Sequence, residues 1–264
     1  MRGIVHTIRV LFVLAKMQVS ASMMYRINFW GVFLADLTFF MIQLLFFTVI
    51  VQNRSIGDWN IHHLTVFVGA FIALNGLYMA TYFFGILALP EKIRTGALDL
   101  AIVKPVNTLL YTTFGNLNIG SFFVFFVGVG IVLYGGAQLG ALSVLGLLQF
   151  TAVFSLMYVL MYAFMLLLRC ASFWLTRVSV FNNFENTFVE FAFRLPLPAI
   201  RGAWKLLLFV LIPYGLMANM PAAALFGPFG FKEWILCIGV TAFFSGLALF
   251  TWRSGRRIYD SASS

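Results

Sequence analysis

Few ionisable side chains in this sequence lie where chemistry could use them, and Asp36 is the most unusual. It lies inside an apolar run over residues 29–51 that contains no other charged residue. A carboxylate inside a bilayer costs about 2.5–3.5 kcal/mol on insertion scales, so it must face protein or water. Asp36 could contact a substrate or a proton, or accept hydrogen bonds between helices. Buried polar groups are usually paired in place, which favours the second role.

A second polar group follows further along the chain. At helical spacing it forms one face that consists of Asn182, Asn183, Asn186, Glu190 and Arg194. This face fits a helix lying at a membrane interface, or a membrane crossing whose polar side faces a water-filled path. In the second case Glu190 and Arg194 would pair one helical turn apart. The candidate residues of such a path are therefore Asp36, Asn183, Asn186 and Glu190.

Motifs for catalysis, metal binding and nucleotide binding are missing from the sequence. His62 and His63 follow Asp58, but a metal site needs further ligands, so a solvated loop is the favoured interpretation. There is no His-Glu-x-x-His, no Gly-x-Ser-x-Gly and no paired carboxylates in an apolar run, which argues against an enzyme. No lysine follows a glycine, so the phosphate-cradling Gly-x-x-x-x-Gly-Lys-Ser/Thr loop is absent as well.

One polar segment, residues 90–107, is longer than a simple connector needs to be. Pro90 can open a helix and Pro105 can close it, so we predict one short amphipathic helix over residues 91–105. Its polar face would consist of Glu91, Arg94 and Thr95, and its apolar face of Ile93, Leu98 and Ile102. Such a helix could dock in a groove of a partner protein, although composition alone favours a solvated connector.

The very apolar composition of the chain indicates that membrane-spanning helices hold these residues. Hydrophobic residues make up 62% of the 264 residues and charged residues only 9%. Between Lys104 and Arg169, 64 consecutive residues include no Asp, Glu, Lys or Arg. A water-soluble surface needs charge, so this stretch predicts two membrane crossings joined by a turn at residues 134–138. The whole chain is predicted to be an all-α polytopic membrane protein with six transmembrane helices.

The predicted crossings are apolar runs of about bilayer length. They cover residues 29–51, 64–89, 117–134, 141–168 and 234–252, with the remaining crossing over 172–193 or 206–225. Ahead of them, Arg2, Arg9 and Lys16 recur every seventh residue and form a basic stripe on an amphipathic helix over residues 1–27. This helix would lie at the interface against anionic headgroups or a cytosolic partner, or would be a simple anchor.

Basic residues that flank the crossings account for the net charge of +9 without a nucleic-acid partner. Either position of the remaining crossing leaves both termini in the cytoplasm. The charge rule prefers residues 170–205 inside the cell, with only Arg54 and Lys232 outside. Residues 206–231 are uncharged but contain three prolines, so they form a kinked span or a re-entrant hairpin.

The residues of the 90–107 segment also carry a family resemblance. The motif Glu91-x-Ile93-Arg94-x-Gly96-x-Leu98-Asp99, followed by Pro105-Val106-Asn107, resembles the cytosolic loop of permease subunits of bacterial type-2 ABC exporters. The best resemblance is to a bacterial ABC-2-like subfamily of about this chain's length. Two further stretches are similar to that subfamily: Arg194-Leu195-Pro196-Leu197 and Trp252-Arg253-x-Gly255-x-x-x-Tyr259-x-Ser261-Ala262. The resemblance extends over essentially the whole chain.

This resemblance implies the transmembrane permease subunit of an ATP-driven exporter in the bacterial plasma membrane. The loop after the second crossing would be a coupling helix seated in a separate ATPase subunit, through Glu91, Arg94, Gly96, Leu98 and Asp99. Two ATPase copies would bind the ATP and Mg, so this chain itself would hold no cofactor. A second permease chain, identical or paralogous, would complete the path. The family pattern also implies 172–193 as the fifth crossing and 203–225 as a re-entrant hairpin.

A secondary transporter or a channel-like protein without an ATPase partner is the alternative. A channel needs a selectivity filter or a charged ring, and the sequence marks neither. Secondary transporters often have two similar halves and several ionisable residues within the membrane. This sequence has no evident internal repeat and few charges in its apolar runs. The residues themselves do not indicate the cargo or the direction of transport.

Overall fold

The computed structural model describes residues 2–24, 58–175, 187–189, 191–192, 195–200, 202–227 and 229–259, with single positions between 31 and 49. Within these residues the chain consists of helices and loops, with no β-strand, which confirms the predicted all-α class. The predicted path residues Asp36, Asn183, Asn186 and Glu190 lie outside the described part, as do Arg194 and Arg201.

The helices of the described part are numbered here in chain order. They are α1 (Arg2–Met24), α2 (Ile61–Thr81), α3 (Phe83–Leu87), α4 (Leu89–Arg94), α5 (Asp99–Ile102), α6 (Thr108–Phe114), α7 (Ile119–Gln138), α8 (Val144–Cys170), α9 (Ala203–Leu206), α10 (Tyr214–Phe226) and α11 (Phe231–Ile258). Two 3-10 turns cover Ala171–Phe173 and Leu197–Ala199, and a π-helical turn over Leu207–Leu211 continues α9.

Four helices of the described residues are long and apolar enough to cross a membrane. They are α2, α7, α8 with its extension to Phe173, and α11. Residues Ala203–Leu211 and α10 pass the same test together, but they are bent by 93°. The bend lies at Pro213, which has no N–H to continue the helical ladder. Such a pair is a broken span or a re-entrant loop, so the hairpin over 203–225 and the total of six crossings stay predictions.

Glycines bring α2 and α7 together as an antiparallel pair. A Cβ atom on Gly76 would collide with the amide nitrogen of Phe125, and one on Gly128 would collide with that of Ala73. Gly69 and Gly135 continue the same line of contact, each seven residues from its neighbour on the same helix. Small residues let helix backbones approach closely in membranes. The pair is therefore held by direct backbone packing.

The predicted turn at residues 134–138 is wrong. Helix α7 continues through Gln138, and the chain turns at Leu139 and Gly140, where Gly140 has a φ of +63°. A Cβ atom on Gly135 would lie 2.9 Å from the side chain of Val66, so this glycine serves helix packing. Adjacent glycines signal a turn and a close helix contact equally well in a sequence, which is the reason for the error.

Helix α8 lies at the centre of the described bundle and packs against α2, α10 and α11. Ser143 caps its start, because its Oγ accepts a hydrogen bond from the N–H of Gly146 at 2.9 Å. Phe164 is buried between Tyr214 of α10 and Phe244 of α11, with ring centres 5.3 and 5.1 Å away. The end of α8 reaches the segment between α4 and α6, where the candidate site lies.

Candidate functional site

The segment between residues 89 and 102 folds as two short helices, so the prediction of one helix over 91–105 is wrong. Helix α4 ends at Arg94 and α5 begins at Asp99. Between them Gly96 has a φ of +74°, a left-handed conformation that a right-handed helix cannot include. The N–H of Leu98 donates to the carbonyl of Lys92 at 3.0 Å and closes the turn.

The outer surface of α4 carries an ion pair. The guanidinium of Arg94 donates from Nη2 to Glu91 Oε1 at 2.6 Å and from Nε to Oε2 at 3.0 Å. Hydrogen bonding to Arg94 lowers the pKa of Glu91, and the same contact raises the pKa of Arg94. Arg94 is 68% exposed and Glu91 62% exposed. Both groups are therefore accessible to a partner protein. An exposed ion pair also adds little to the stability of the fold.

The inner surface of this segment is apolar and closely packed. Leu98 is completely buried, and Leu89 and Ala101 are buried with it. Ile93 is half-buried, as the predicted apolar face requires. Ile102 departs from that prediction, because it is 40% exposed. The turn at Gly96 changes the register between the two helices, so α5 and the residue after it also expose Leu100 and Val103 to the surroundings.

The ends of α8 and α11 meet beside α4. The ring of Phe173, just after α8, lies 5.7 Å from the Trp252 ring and 6.2 Å from the Tyr259 ring. A Cβ atom on Gly255 would collide with that Phe173 ring, so only glycine fits there. Burial raises the pKa of the Tyr259 hydroxyl, and the nearby carboxylate of Asp99 raises it further. Gly255 and Tyr259 belong to the C-terminal sequence motif. Their packing against Phe173 explains why a glycine and an aromatic residue occupy these two positions.

A tyrosine cluster connects the end of α2 to α8. Tyr82, at the break between α2 and α3, is buried and donates its hydroxyl to the carbonyl of Tyr158 at 3.0 Å. Its ring lies 5.1 Å from that of Tyr162. Sequence reasoning missed this cluster, although the four-residue spacing from Tyr158 to Tyr162 was a visible signal. A Cβ atom on Gly85 would collide with the carbonyl oxygen of Thr113, so α3 also packs tightly on α6.

Helix α1 lies along the chain that follows α5. The hydroxyl of Thr7 accepts a hydrogen bond from the N–H of Asn107 at 2.8 Å. Gln18 donates to the carbonyl of Gly115 and accepts from the N–H of Leu117, both at 2.6 Å. Arg9 and Lys16 of the predicted basic stripe are exposed. Whether α1 lies at a membrane interface stays a prediction.

The two adjacent histidines lie in the first turn of α2, which corrects their predicted placement in a loop. The side chain of Asn60 accepts hydrogen bonds from the N–H groups of His62 and His63, at 3.0 and 3.1 Å. The His63 ring packs 4.6 Å from the ring of Phe226. Among the described residues no group of three or more His, Cys, Asp or Glu could hold a metal ion. Both histidines lie in the first turn of the helix, and His63 packs that turn against α10.

Comparison with known proteins places this architecture in a family. Residues 37–263 match the family described as ABC-2 family transporter protein. Neither a curated protein nor a solved structure shows a significant match to the chain. The match covers most of the chain, including the α4–α5 segment and every candidate span of the described part. The chain therefore belongs to the ABC-2 transporter family, as a multi-pass permease component of an ABC transporter.

Proposed function

We propose that this chain is the permease subunit of an ATP-driven exporter and that residues 89–104 couple it to a separate ATPase. The observation that carries this proposal is the two-sided packing of the segment. One side exposes the Glu91–Arg94 pair, and the other buries Leu98 against the permease core. A surface built only as a connector would not need a buried anchor beneath an exposed charged face.

Movement of this segment would reach three candidate spans. Helix α3 connects it to α2, and the Ala171–Phe173 turn connects it to α8. The contact of Phe173 with Gly255 extends the connection to α11. Closure of nucleotide-bound ATPases on α4 would push these elements as rigid units and alternate access to a central path.

The composition of the complete transporter is part of this proposal. The chain lacks a phosphate-binding loop, so ATP and Mg would be bound by the two ATPase subunits. A second permease chain, identical or paralogous, would form the other half of the path. The transporter would lie in the bacterial plasma membrane with both permease termini in the cytoplasm. Asp36, Asn183, Asn186 and Glu190 are the proposed polar residues of the path.

Charge reversal within α4 tests the coupling role. We expect Glu91→Arg and Arg94→Glu each to abolish stimulated ATP turnover by the ATPase that co-purifies with the permease, while membrane insertion stays intact. Each reversal places like charges one turn apart and changes the charge that faces the partner. Glu233→Arg, an exposed reversal in the first turn of α11, is the matched control and should keep full turnover.

The double variant Glu91→Arg with Arg94→Glu separates two roles of the ion pair. It rebuilds the pair within α4 but reverses the order of charges on the surface. If the pair served only the stability of α4, turnover would return. A partner-contacting pair predicts that turnover stays lost. Full activity in both single variants, or a permease that purifies with no ATPase, would favour a transporter or channel without an ATPase partner.

A further inference from the structure

A cavity of about 440 Å³ opens between α1, the α4–α5 segment and α6. Its polar lining residues are Gln18, Lys92, Lys104, Tyr111, Thr112 and Asn116. Two of these are lysines, and none of the described lining residues is acidic. The cavity therefore has a positive charge with no counter-charge in its own wall.

The two ammonium groups have neutral partners only, as far as the described residues show. Lys92 is half-buried, and its Nζ lies 3.4 Å from the carbonyl oxygen of Thr112, which is a long hydrogen bond. Loss of water around it lowers the pKa of Lys92. Lys104 donates to the hydroxyl of Tyr111 and lies 4.3 Å from the centre of its ring. A charge partly withdrawn from water, as that of Lys92 is, is normally paired, so an external anion beside it would be stabilising. Lys104 is exposed and adds a second positive charge to the lining.

Other polar groups of the lining are donors as well. The side-chain amides of Gln18 and Asn116 line the cavity, and the Tyr111 hydroxyl, which accepts from Lys104, keeps its own O–H to donate. Hydroxyl, ammonium and amide groups together supply several donors to one anion. Phosphate oxygens accept from such donors, and charge-assisted hydrogen bonds to them are about twice as strong as neutral ones. The chemistry of the wall thus matches a phosphate group.

The position of α1 indicates where that phosphate comes from. Gln18 and Leu14 of α1 form one wall of the cavity, while Phe12, Val13 and Met17 of the same helix are exposed. An amphipathic helix with such residues buries them at the boundary between headgroups and acyl chains. We propose that the cavity binds the phosphate of an anionic phospholipid headgroup from the inner leaflet. This inference rests on the proposed placement of α1 and α4 at the inner membrane surface.

A bound headgroup would join α1 to both ends of the α4–α5 segment, since Lys92 lies in α4 and Lys104 follows α5. Lipid composition would then influence how firmly the segment is held. Each lysine near an anionic surface contributes about a fivefold factor in affinity, so the two together contribute about 25-fold.

Lipid retention by the full-length permease tests the site. Purified protein is exchanged between detergent and nanodiscs containing phosphatidylglycerol or phosphatidylcholine, and bound lipid is counted by native mass spectrometry. We expect selective retention of phosphatidylglycerol and a loss of about 25-fold in its affinity in Lys92→Gln with Lys104→Gln. Lys92→Arg with Lys104→Arg should restore retention. The matched control is Arg256→Gln with Arg257→Gln, which removes two exposed charges at the end of α11.

Each outcome decides for or against the site. Selective loss in the lysine pair, with wild-type retention in the α11 pair and unchanged thermal unfolding, supports it. Equal loss in both pairs, or no preference for phosphatidylglycerol, overturns it. A parallel titration with inorganic phosphate distinguishes the source: lysine-dependent binding of phosphate without lipid retention would overturn the lipid assignment. Because no ATPase is present, failure here would leave the coupling proposal standing.

Discussion

The α2–α7 pair and the α4–α5 segment are stabilised in different ways. In the pair, four glycines spaced along two long helices bring the backbones into direct contact, so the stabilising contacts extend over the length of both helices. In the segment, two helices of six and four residues are too short to be stable alone, and order depends on a few buried anchors. Loss of one contact should therefore destabilise both helices of the pair, whereas in the segment it should destabilise residues 89–104 alone.

The largest expected effect belongs to Gly128→Val. The new side chain would collide with the backbone of Ala73, which cannot move without separating the helices, and we expect a loss of about 3 kcal/mol. Gly130→Val on the same helix is the control, because Gly130 faces open space. Thermal unfolding in detergent would show the difference. Equal stability of the two variants would mean that close backbone contact does not hold the pair.

Leu98→Ala comes next and tests the anchor of the segment. Removing a completely buried leucine side chain should cost about 2–3 kcal/mol, the lower part of the range for such changes, because its neighbours Leu100 and Ile102 are exposed and the site has room to relax. Hydrogen exchange should rise over residues 89–104 alone. Leu100→Ala changes an exposed leucine two residues away and should have almost no effect. Faster exchange throughout α2 and α7 would contradict the local character of the segment.

Gly96→Ala addresses the turn between the two short helices. An alanine at a φ of +74° costs about 1–2 kcal/mol, so the turn should open more often. Gly239→Ala, in open space on α11, should instead be neutral or slightly stabilising. Exchange of the Leu98 N–H reports the turn directly, since that group bonds to Lys92. Unchanged exchange at Leu98 would show that Gly96 is replaceable.

Tyr259→Phe should have the smallest effect and a pH dependence with a defined sign. Burial and Asp99 raise the pKa of Tyr259, so the folded protein keeps the hydroxyl protonated after the unfolded chain has ionised. Its contribution is complete below about pH 10, the ordinary tyrosine value, and is lost as pH rises through the raised pKa. Wild type should lose more stability than Tyr259→Phe over that range. Parallel unfolding curves would exclude the effect.

Hydropathy predicted the membrane class, because uncharged apolar runs of bilayer length are typical of membrane crossings. Turn-type residues misplaced the turn at residues 134–138, since a glycine such as Gly135 is typical both of turns and of close helix contacts. The break at Gly96 was also missed, because two flanking prolines suggested one helix. The buried state of Leu98 and the tyrosine cluster at Tyr82 depend on contacts between distant segments, which no local pattern contains.

Site-specific cross-linking from position 94 tests the coupling of the permease to an ATPase most directly. A photo-reactive residue is placed at Arg94 and, as a control, at Phe231, which is exposed at the opposite end of α11. In native membranes we expect position 94 to cross-link to an ABC ATPase and position 231 to give no such product. No ATPase product from position 94, or labelling of a cysteine there by an impermeant reagent on intact cells, would contradict the account.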